Sequence, residues 1–263
     1  MTTQQGMAVV TGAGSGLGRA IALKLAADGF AVAALDLDDA SARESARLIA
    51  DKGGRAAGFA ADVSRAADLD RAVAAAIGAL GPLEVMVNNA GILDGYFDVD
   101  EMDEALWRKV IDIDLTGVFL GCKRALREFL PRRRGRIVNM ASVAGLNGTG
   151  GGAAYIAAKH GVVGLTRQMA VQYGPRGIRS NCVCPGPIAT ALRAHSQAIL
   201  GPGVPDISGR GVAVNDDMVR ALVPLGARGT PEDIAGAVSF LASDAAGYVN
   251  GHALVVDGGW RAK

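Results

Sequence analysis

Met7-Ala8-Val9-Val10-Thr11, a short apolar run, leads directly into Gly12-Ala13-Gly14-Ser15-Gly16-Leu17-Gly18 and then into Ile21, Leu23 and Leu25 at helical spacing, closed by Gly29. The spacing predicts strand, glycine turn and helix. Glycines at such a turn let the backbone approach a diphosphate, and the helix start offers unpaired N–H groups with a partial positive charge. The turn does not have Gly-x-Gly-x-x-Gly spacing; it follows Thr-Gly-x-x-x-Gly-x-Gly. It suits a dinucleotide.

The second apolar run, Phe30 to Leu35, ends at Asp36, 18 residues beyond Gly18. An acid there accepts hydrogen bonds from ribose hydroxyls and repels a 2′-phosphate, so NAD is favoured over NADP. Leu37 occupies the place where a phosphate-binding Arg would sit, and Ala13 and Ser15 give the glycine turn no cation. The competing structural role for Asp36 is a cap for a helix running from Asp38 to Lys52.

Strand and helix continue to alternate: Ala56 to Ala61, then a helix to Leu80; Val85 to Asn88, then a long helix from Met102 to Leu130; then Arg136 to Ser142. This is βαβ repetition, which builds a parallel sheet and places ligands beyond the carboxyl ends of the strands. Asp62 and Val63 close one strand where an adenine ring would lie. Asn89, Ala90 and Gly91 close the next and line the cofactor, while Asn88 ties the backbone together.

Tyr155-Ile156-Ala157-Ala158-Lys159 supplies the reactive groups. Positions i and i+4 share one helix face, so the phenol and the ammonium enter the same space. A Tyr titrates near ~10, and a base working near neutrality asks for about 3 to 4 kcal/mol of extra stabilisation of phenolate. A nearby Lys in a partly dry cleft supplies that. Ser142, 13 residues before Tyr155, ends its strand, where a Ser alone would be a turn former, and the glycine-rich loop Gly145 to Gly152 between them can bring it to the phenol.

With 263 residues, 50% hydrophobic and 20% charged, the chain is expected to form one domain over residues 1–263. A net charge of +1 gives no field for nucleic acid or an anionic membrane. A small molecule is the expected partner. No apolar run has the length of a membrane span and the first residues lack signal-peptide character, so a cytoplasmic location is expected. Cys122, Cys182 and Cys184 fall in apolar surroundings and are expected to be core thiols, with no metal site. The three histidines share no metal-ligand spacing; His195 falls where it could meet substrate. Residues 191–227 form a long, loosely patterned stretch with several Gly and Pro, expected to be a substrate lid. Thr230 and Pro231 mark the start of a late helix.

Together these residues resemble the short-chain dehydrogenase/reductase family: Thr11-Gly12-x3-Gly16-x-Gly18, Asp62, Asn88-Asn89-Ala90-Gly91, Ser142, Tyr155-x3-Lys159, Pro185-Gly186 and Asp257-Gly258-Gly259 occur in the family's order. The resemblance implies one Rossmann-like, doubly wound α/β domain with a seven-stranded parallel sheet and helices on both faces. It further implies a nicotinamide cofactor and a homotetramer. For this chain it implies an NAD-dependent enzyme interconverting a secondary alcohol and a ketone. Tyr155 serves as acid/base, Ser142 holds the reacting oxygen, and Lys159 binds the nicotinamide ribose and depresses the Tyr155 pKa. Gly12, Ser15, Gly16, Leu17 and Gly18 are expected under the diphosphate; Pro185, Gly186, the Ile188 backbone and Thr190 are expected along the nicotinamide. An enoyl reductase of the family carries its Tyr seven residues before the Lys, and that position is Gly152. One position departs from the pattern: Asp114 stands where the family has Asn. It joins the catalytic set with two opposed consequences, since its carboxylate could hold Lys159 as a cation or hinder Tyr155 deprotonation. That departure motivates the alternative of an NAD-holding redox-sensing binding protein. The substrate is expected to be largely apolar and cyclic, unless Arg193 and Arg210 meet an acid.

Overall fold

The computed structural model describes residues 6–201, 207 and 216–262. Seven strands form one parallel sheet: β1 (Met7–Thr11), β2 (Ala31–Asp36), β3 (Ala56–Ala60), β4 (Leu83–Asn88), β5 (Gly135–Met140), β6 (Ile178–Pro185) and β7 (Ala253–Val256). Their order across the sheet is β3-β2-β1-β4-β5-β6-β7, and every pairing is parallel. The order reverses direction between β1 and β4, which opens a crevice at the carboxyl ends of those strands. The expected doubly wound sheet is what the chain forms.

Both faces of the sheet are covered, and this is why its strands read as unbroken apolar runs. Along β1, Met7 and Val9 enter one core while Ala8 and Val10 enter the other. The second core is closed by α1 (Gly16–Ala27), α2 (Asp39–Ala50) and, late in the chain, α9 (Pro231–Ala242), through Ile21, Leu25, Ile49, Ile234 and Val238. The first is closed by α3 (Ala66–Leu80), α4 (Glu104–Ile111), α5 (Gly117–Arg132) and α6 (Ala153–Tyr173), through Leu69, Val73, Leu106, Phe129 and Val162. Two shorter helices, α7 (Leu192–Leu200) and α8 (Asp216–Leu222), occupy the stretch expected to be a lid. Its Pro202, Gly203, Val204, Pro205 and Ser208 to Gly211, with Arg210 among them, lie outside the described residues.

One local expectation changes and one competing reading falls away. The single helix from Met102 to Leu130 is two helices joined by a π turn at Asp112–Thr116. The apolar spacing runs through the junction unbroken, so periodicity carries no trace of it. The cap of α2 is Asp38, whose carboxylate accepts from Ala40 N and Ser41 N, which leaves Asp36 for other work. The Thr230–Pro231 start of α9 is as expected, with Asp233 completing a capping box. Cys122, Cys182 and Cys184 are buried free thiols.

Phe129 is fully buried at the end of α5. Phe129→Ala is expected to cost about 3–5 kcal/mol, read as a lower urea midpoint at unchanged slope; a loss below about 1 kcal/mol would contradict this packing.

Candidate active site

At the carboxyl edge of the sheet lies a cavity of about 740 Å3, within the range of small-ligand sites. The glycine turn forms its floor. There is no room for a side chain at Gly18, because a Cβ would stand 1.9 Å from the Gly12 carbonyl oxygen. The start of α1 is not capped by the Ser15 side chain, so its first N–H groups face the cavity. These features fit a dinucleotide diphosphate. The turn is not without a cation, contrary to expectation: Arg19, one helical turn into α1, donates to the Gly14 carbonyl and to Ser45 Oγ.

Asp36 ends β2 at the rim of the cavity. Its Oδ2 accepts from Gly14 N at 2.7 Å and its Oδ1 from Asp38 N at 3.1 Å, which fixes the carboxylate beside the glycine turn. Leu37 next to it is 57% exposed and presents no positive charge. Asp62, whose Oδ1 accepts from Ser64 N and Ser64 Oγ, and Val63 line the adjoining wall.

Asn88 and Asn89 divide their tasks. Asn88 is buried and donates to Asn139 Oδ1, tying β4 to β5. Asn89 Nδ2 donates to the carbonyls of Thr11 and Gly12, joining β4 to the glycine turn, while Ala90 and Gly91 continue along the cavity. On the opposite wall stand Pro185, Gly186, Ile188 and Thr190, steadied by Gly186 N donating to Val256 O and Ala189 N donating to Gly229 O.

Helix α6 brings Tyr155 and Lys159 to the same cavity, as the i, i+4 spacing predicts, with Nζ 5.3 Å from the centre of the phenol ring. Ser142 follows β5 and caps a short turn, accepting from Ala144 N; its hydroxyl also interacts with the Tyr155 phenol. Tyr155, Ser142 and Lys159 are 8%, 8% and 3% exposed. Lys159 Nζ donates to the Met140 carbonyl at 3.1 Å and stands 3.1 Å from Asp114 Oδ2, while Asp114 Oδ1 accepts from Ile92 N at 2.8 Å. The π turn carries Asp114 into this position, fully buried. All the residues expected to bind cofactor or to catalyse therefore line one cavity.

Electrostatically the site departs from the simple reading. Burial raises the Tyr155 pKa above its ordinary value; Lys159 and Ser142 act to lower it, as expected, but Asp114 and Asp94 add to the increase. The net direction is upward, not the depression expected from Lys159 alone. Lys159 is held above its ordinary value: burial works against the charge, and the Asp114 carboxylate, with Tyr155 and Cys184, more than restores it. Burial likewise raises the Asp114 carboxyl, with Lys159 and the Ile92 N–H opposing.

Asp94 escapes a reading by motif. It is fully buried in the loop after β4, accepts from Gly152 N and Tyr155 N at 2.9 Å each, and accepts from Tyr96 N at 3.1 Å. Its carboxylate caps the helix that carries Tyr155, a favourable place for negative charge. The only signal in the sequence is an acid in the otherwise apolar Ile92-Leu93-Asp94. Tyr96 sits beside it at φ 60, with Arg193 of α7 5.7 Å above its ring. His195 of α7 lies at the cavity's other end, its Nδ1 3.2 Å from Ser15 Oγ.

Residues 12–261 match a family model described as enoyl-(acyl carrier protein) reductase. Over 254 residues, 96% of this chain and 95% of the relative, the sequence is 44% identical to 2-(S)-hydroxypropyl-CoM dehydrogenase 3 of Xanthobacter autotrophicus. It is 38% identical to cyclohexanol dehydrogenase of an Acinetobacter species over 98% of this chain and 95% of the relative. The chain belongs to the short-chain dehydrogenase/reductase family. Within it, this protein is an oxidoreductase. The crystal structure of levodione reductase superposes with a TM-score of 0.88 at 36% identity, covering 100% of this chain and 99% of that one. The geometry at Gly152 leaves no place for the tyrosine of an enoyl reductase, since a Cβ there would stand 2.6 Å from Phe97 N and 2.7 Å from Phe97 O.

Asp94→Ala leaves the buried N–H groups of Gly152 and Tyr155 without their acceptor. It is expected to cost at least about 2 kcal/mol in urea unfolding, and unchanged stability would show that the cap is dispensable.

Proposed function

We propose that this protein is an NAD-dependent dehydrogenase/reductase that interconverts a secondary alcohol and a ketone, with Tyr155 as the acid/base. The observation that carries the proposal is the meeting of Tyr155, Lys159 and Ser142 in the cavity that also holds the glycine turn and Asp36. Bound NAD supplies the hydride acceptor, and its reduced form the hydride donor. The chain's own residues handle the oxygen and its proton. In alcohol oxidation the Tyr155 phenolate takes the hydroxyl proton. In ketone reduction the Tyr155 phenol returns it to the forming alkoxide. Ser142 donates a hydrogen bond to the same oxygen and stabilises its charge as it develops. Lys159 steadies the phenolate and would hold the nicotinamide ribose.

The preference for NAD rests on Asp36, whose fixed carboxylate meets ribose hydroxyls and repels a 2′-phosphate, and on Leu37, which offers no cation there. Apolar side chains of Ile92, Leu192 and Ile199 that line the same cavity favour a largely apolar, cyclic substrate. The relatives named cyclohexanol dehydrogenase and 3beta-hydroxysteroid dehydrogenase 2 support the same class. Of the stretch expected to be a lid, α7 lies along the cavity through Leu192, His195 and Ile199 and serves as its cover. The homotetramer that the family resemblance implies is tested by its mass in light scattering, where a monomer would refute it. Free thiols at all three cysteines support a reducing, cytoplasmic setting; localisation of the tagged protein in its own cells checks this, and an exported protein would refute it.

Tyr155→Phe should lower kcat for secondary-alcohol oxidation about 10²–10⁴-fold with NAD, and equal rates would end the assignment. Because the Tyr155 pKa is raised, oxidation, which needs phenolate, should quicken as pH rises toward that pKa. Ketone reduction, which needs the phenol, should be level at low pH and decline as pH passes it. Opposite trends in the pH–rate profiles would assign the proton to another group. Asp36→Ala should shift the NAD/NADP ratio of kcat/KM toward NADP by at least about tenfold, a change of about 1.4 kcal/mol; an unchanged ratio would remove Asp36 from cofactor choice.

A further inference from the structure

The helical path from Glu104 to Arg132 has a π turn at Asp112–Thr116, where the Asp114 side chain meets the buried end of Lys159. Such turns expose a backbone segment to a neighbouring site and recur where function is. Here the segment delivers a carboxylate. Asp114 Oδ2 stands 3.1 Å from Lys159 Nζ, and its other oxygen is pinned by the Ile92 N–H at 2.8 Å. An asparagine, the residue of the family pattern, would have the same shape and no charge.

We propose that Asp114 is a positioning residue: its carboxylate fixes the Lys159 ammonium in place and takes up part of the positive field that would otherwise act on the Tyr155 phenolate. The proposal rests on the assignment of Tyr155 as acid/base and adds to it a control on the pH at which each direction runs. An ammonium paired with a carboxylate acts on a third group as a dipole, whose field falls faster than that of a lone charge. The phenol then releases its proton less readily.

Other groups face the phenol or its partner, and among the described residues none substitutes for Asp114. From the loop after β4, Asp94 is occupied by Gly152 N, Tyr155 N and Tyr96 N at a helix start that offsets its charge. Tyr96, from the same loop, has a pKa raised by burial and by Tyr155 and is neutral at physiological pH. Ser142, after β5, contributes a hydroxyl that favours phenolate. Cys184 of β6, near Lys159, is a free thiol whose pKa is raised by its hydrogen bond with Cys182 and by burial, and so is uncharged. Asp114 is thus the acid whose charge is directed at Lys159, and Asp114 and Asp94 both act to raise the Tyr155 pKa.

The test is an ultraviolet titration of tyrosinate in the purified full-length protein, wild type against Asp114→Asn. Each is compared with its own Tyr155→Phe derivative to subtract the other three tyrosines. Asp114→Asn is expected to lower the Tyr155 midpoint by at least about one pH unit, a tenfold change in proton affinity. The midpoint of the pH–rate profile for secondary-alcohol oxidation should move in the same direction. Asp114→Glu, which keeps the charge, should keep the midpoint high, an outcome that a purely structural role would not produce. Asp114→Ser, whose hydroxyl can accept from the Ile92 N–H, is the second uncharged variant should Asp114→Asn fail to fold. A midpoint that stays or rises in the uncharged variants, or one that falls equally in Asp114→Glu, overturns the proposal. The titration needs no substrate, so a protein that oxidised no alcohol would refute the proposed function and still report on Asp114.

Discussion

A positive charge held in one of the driest parts of the molecule is the constraint on which the rest depends. Lys159 is 3% exposed, and an ammonium so placed persists only where groups of opposite polarity surround it. Three separate parts of the chain provide them: the Met140 carbonyl at the end of β5, the Asp114 carboxylate on the π turn, and the phenol of Tyr155 one helical turn earlier. The first two fix the depth of α6 against the sheet. With α6 held there, the phenol comes to lie at the carboxyl edge of the strands and not over their faces.

The sheet accounts for why cofactor site and reactive side chains share one cavity. β1 and β4 are neighbours at the point where strand order reverses, so the glycine turn that follows β1 and the Asn89–Gly91 segment that follows β4 face one crevice. Ser142 follows β5 and Pro185 ends β6, each one strand further along. A parallel sheet brings every one of these carboxyl ends to the same side. Residues from 12 to 199 thereby meet although their neighbours in sequence are dispersed over both cores.

Much of this was legible because it is local. The glycine turn shows in the residues permitted between a strand and a helix; the Tyr155–Lys159 pair shows in the period of the helix; Ser142 shows as the end of an apolar run. What stayed hidden depends on contacts distant in sequence. The π turn inserts itself without disturbing apolar spacing, so the direction of Asp114 had no signature and its two possible effects stayed open. Asp94 acts on α6 across about sixty residues and belongs to no motif. Arg19 was overlooked because its guanidinium turns back onto Gly14 from the following helix. The net rise in the Tyr155 pKa was missed for a related reason: spacing reveals the nearby ammonium, whereas burial and two acids from other elements decide the balance.

Direct transfer of hydrogen from the carbinol carbon, beside a phenol that handles only the proton, is the central claim. Deuterium placed on the carbinol carbon of a secondary alcohol that the purified protein oxidises tests it most directly, with NAD analysed by nuclear magnetic resonance after turnover. The account predicts deuterium at C4 of the reduced nicotinamide, on one face only. Deuterium recovered in solvent, or spread over both faces of C4, would contradict it.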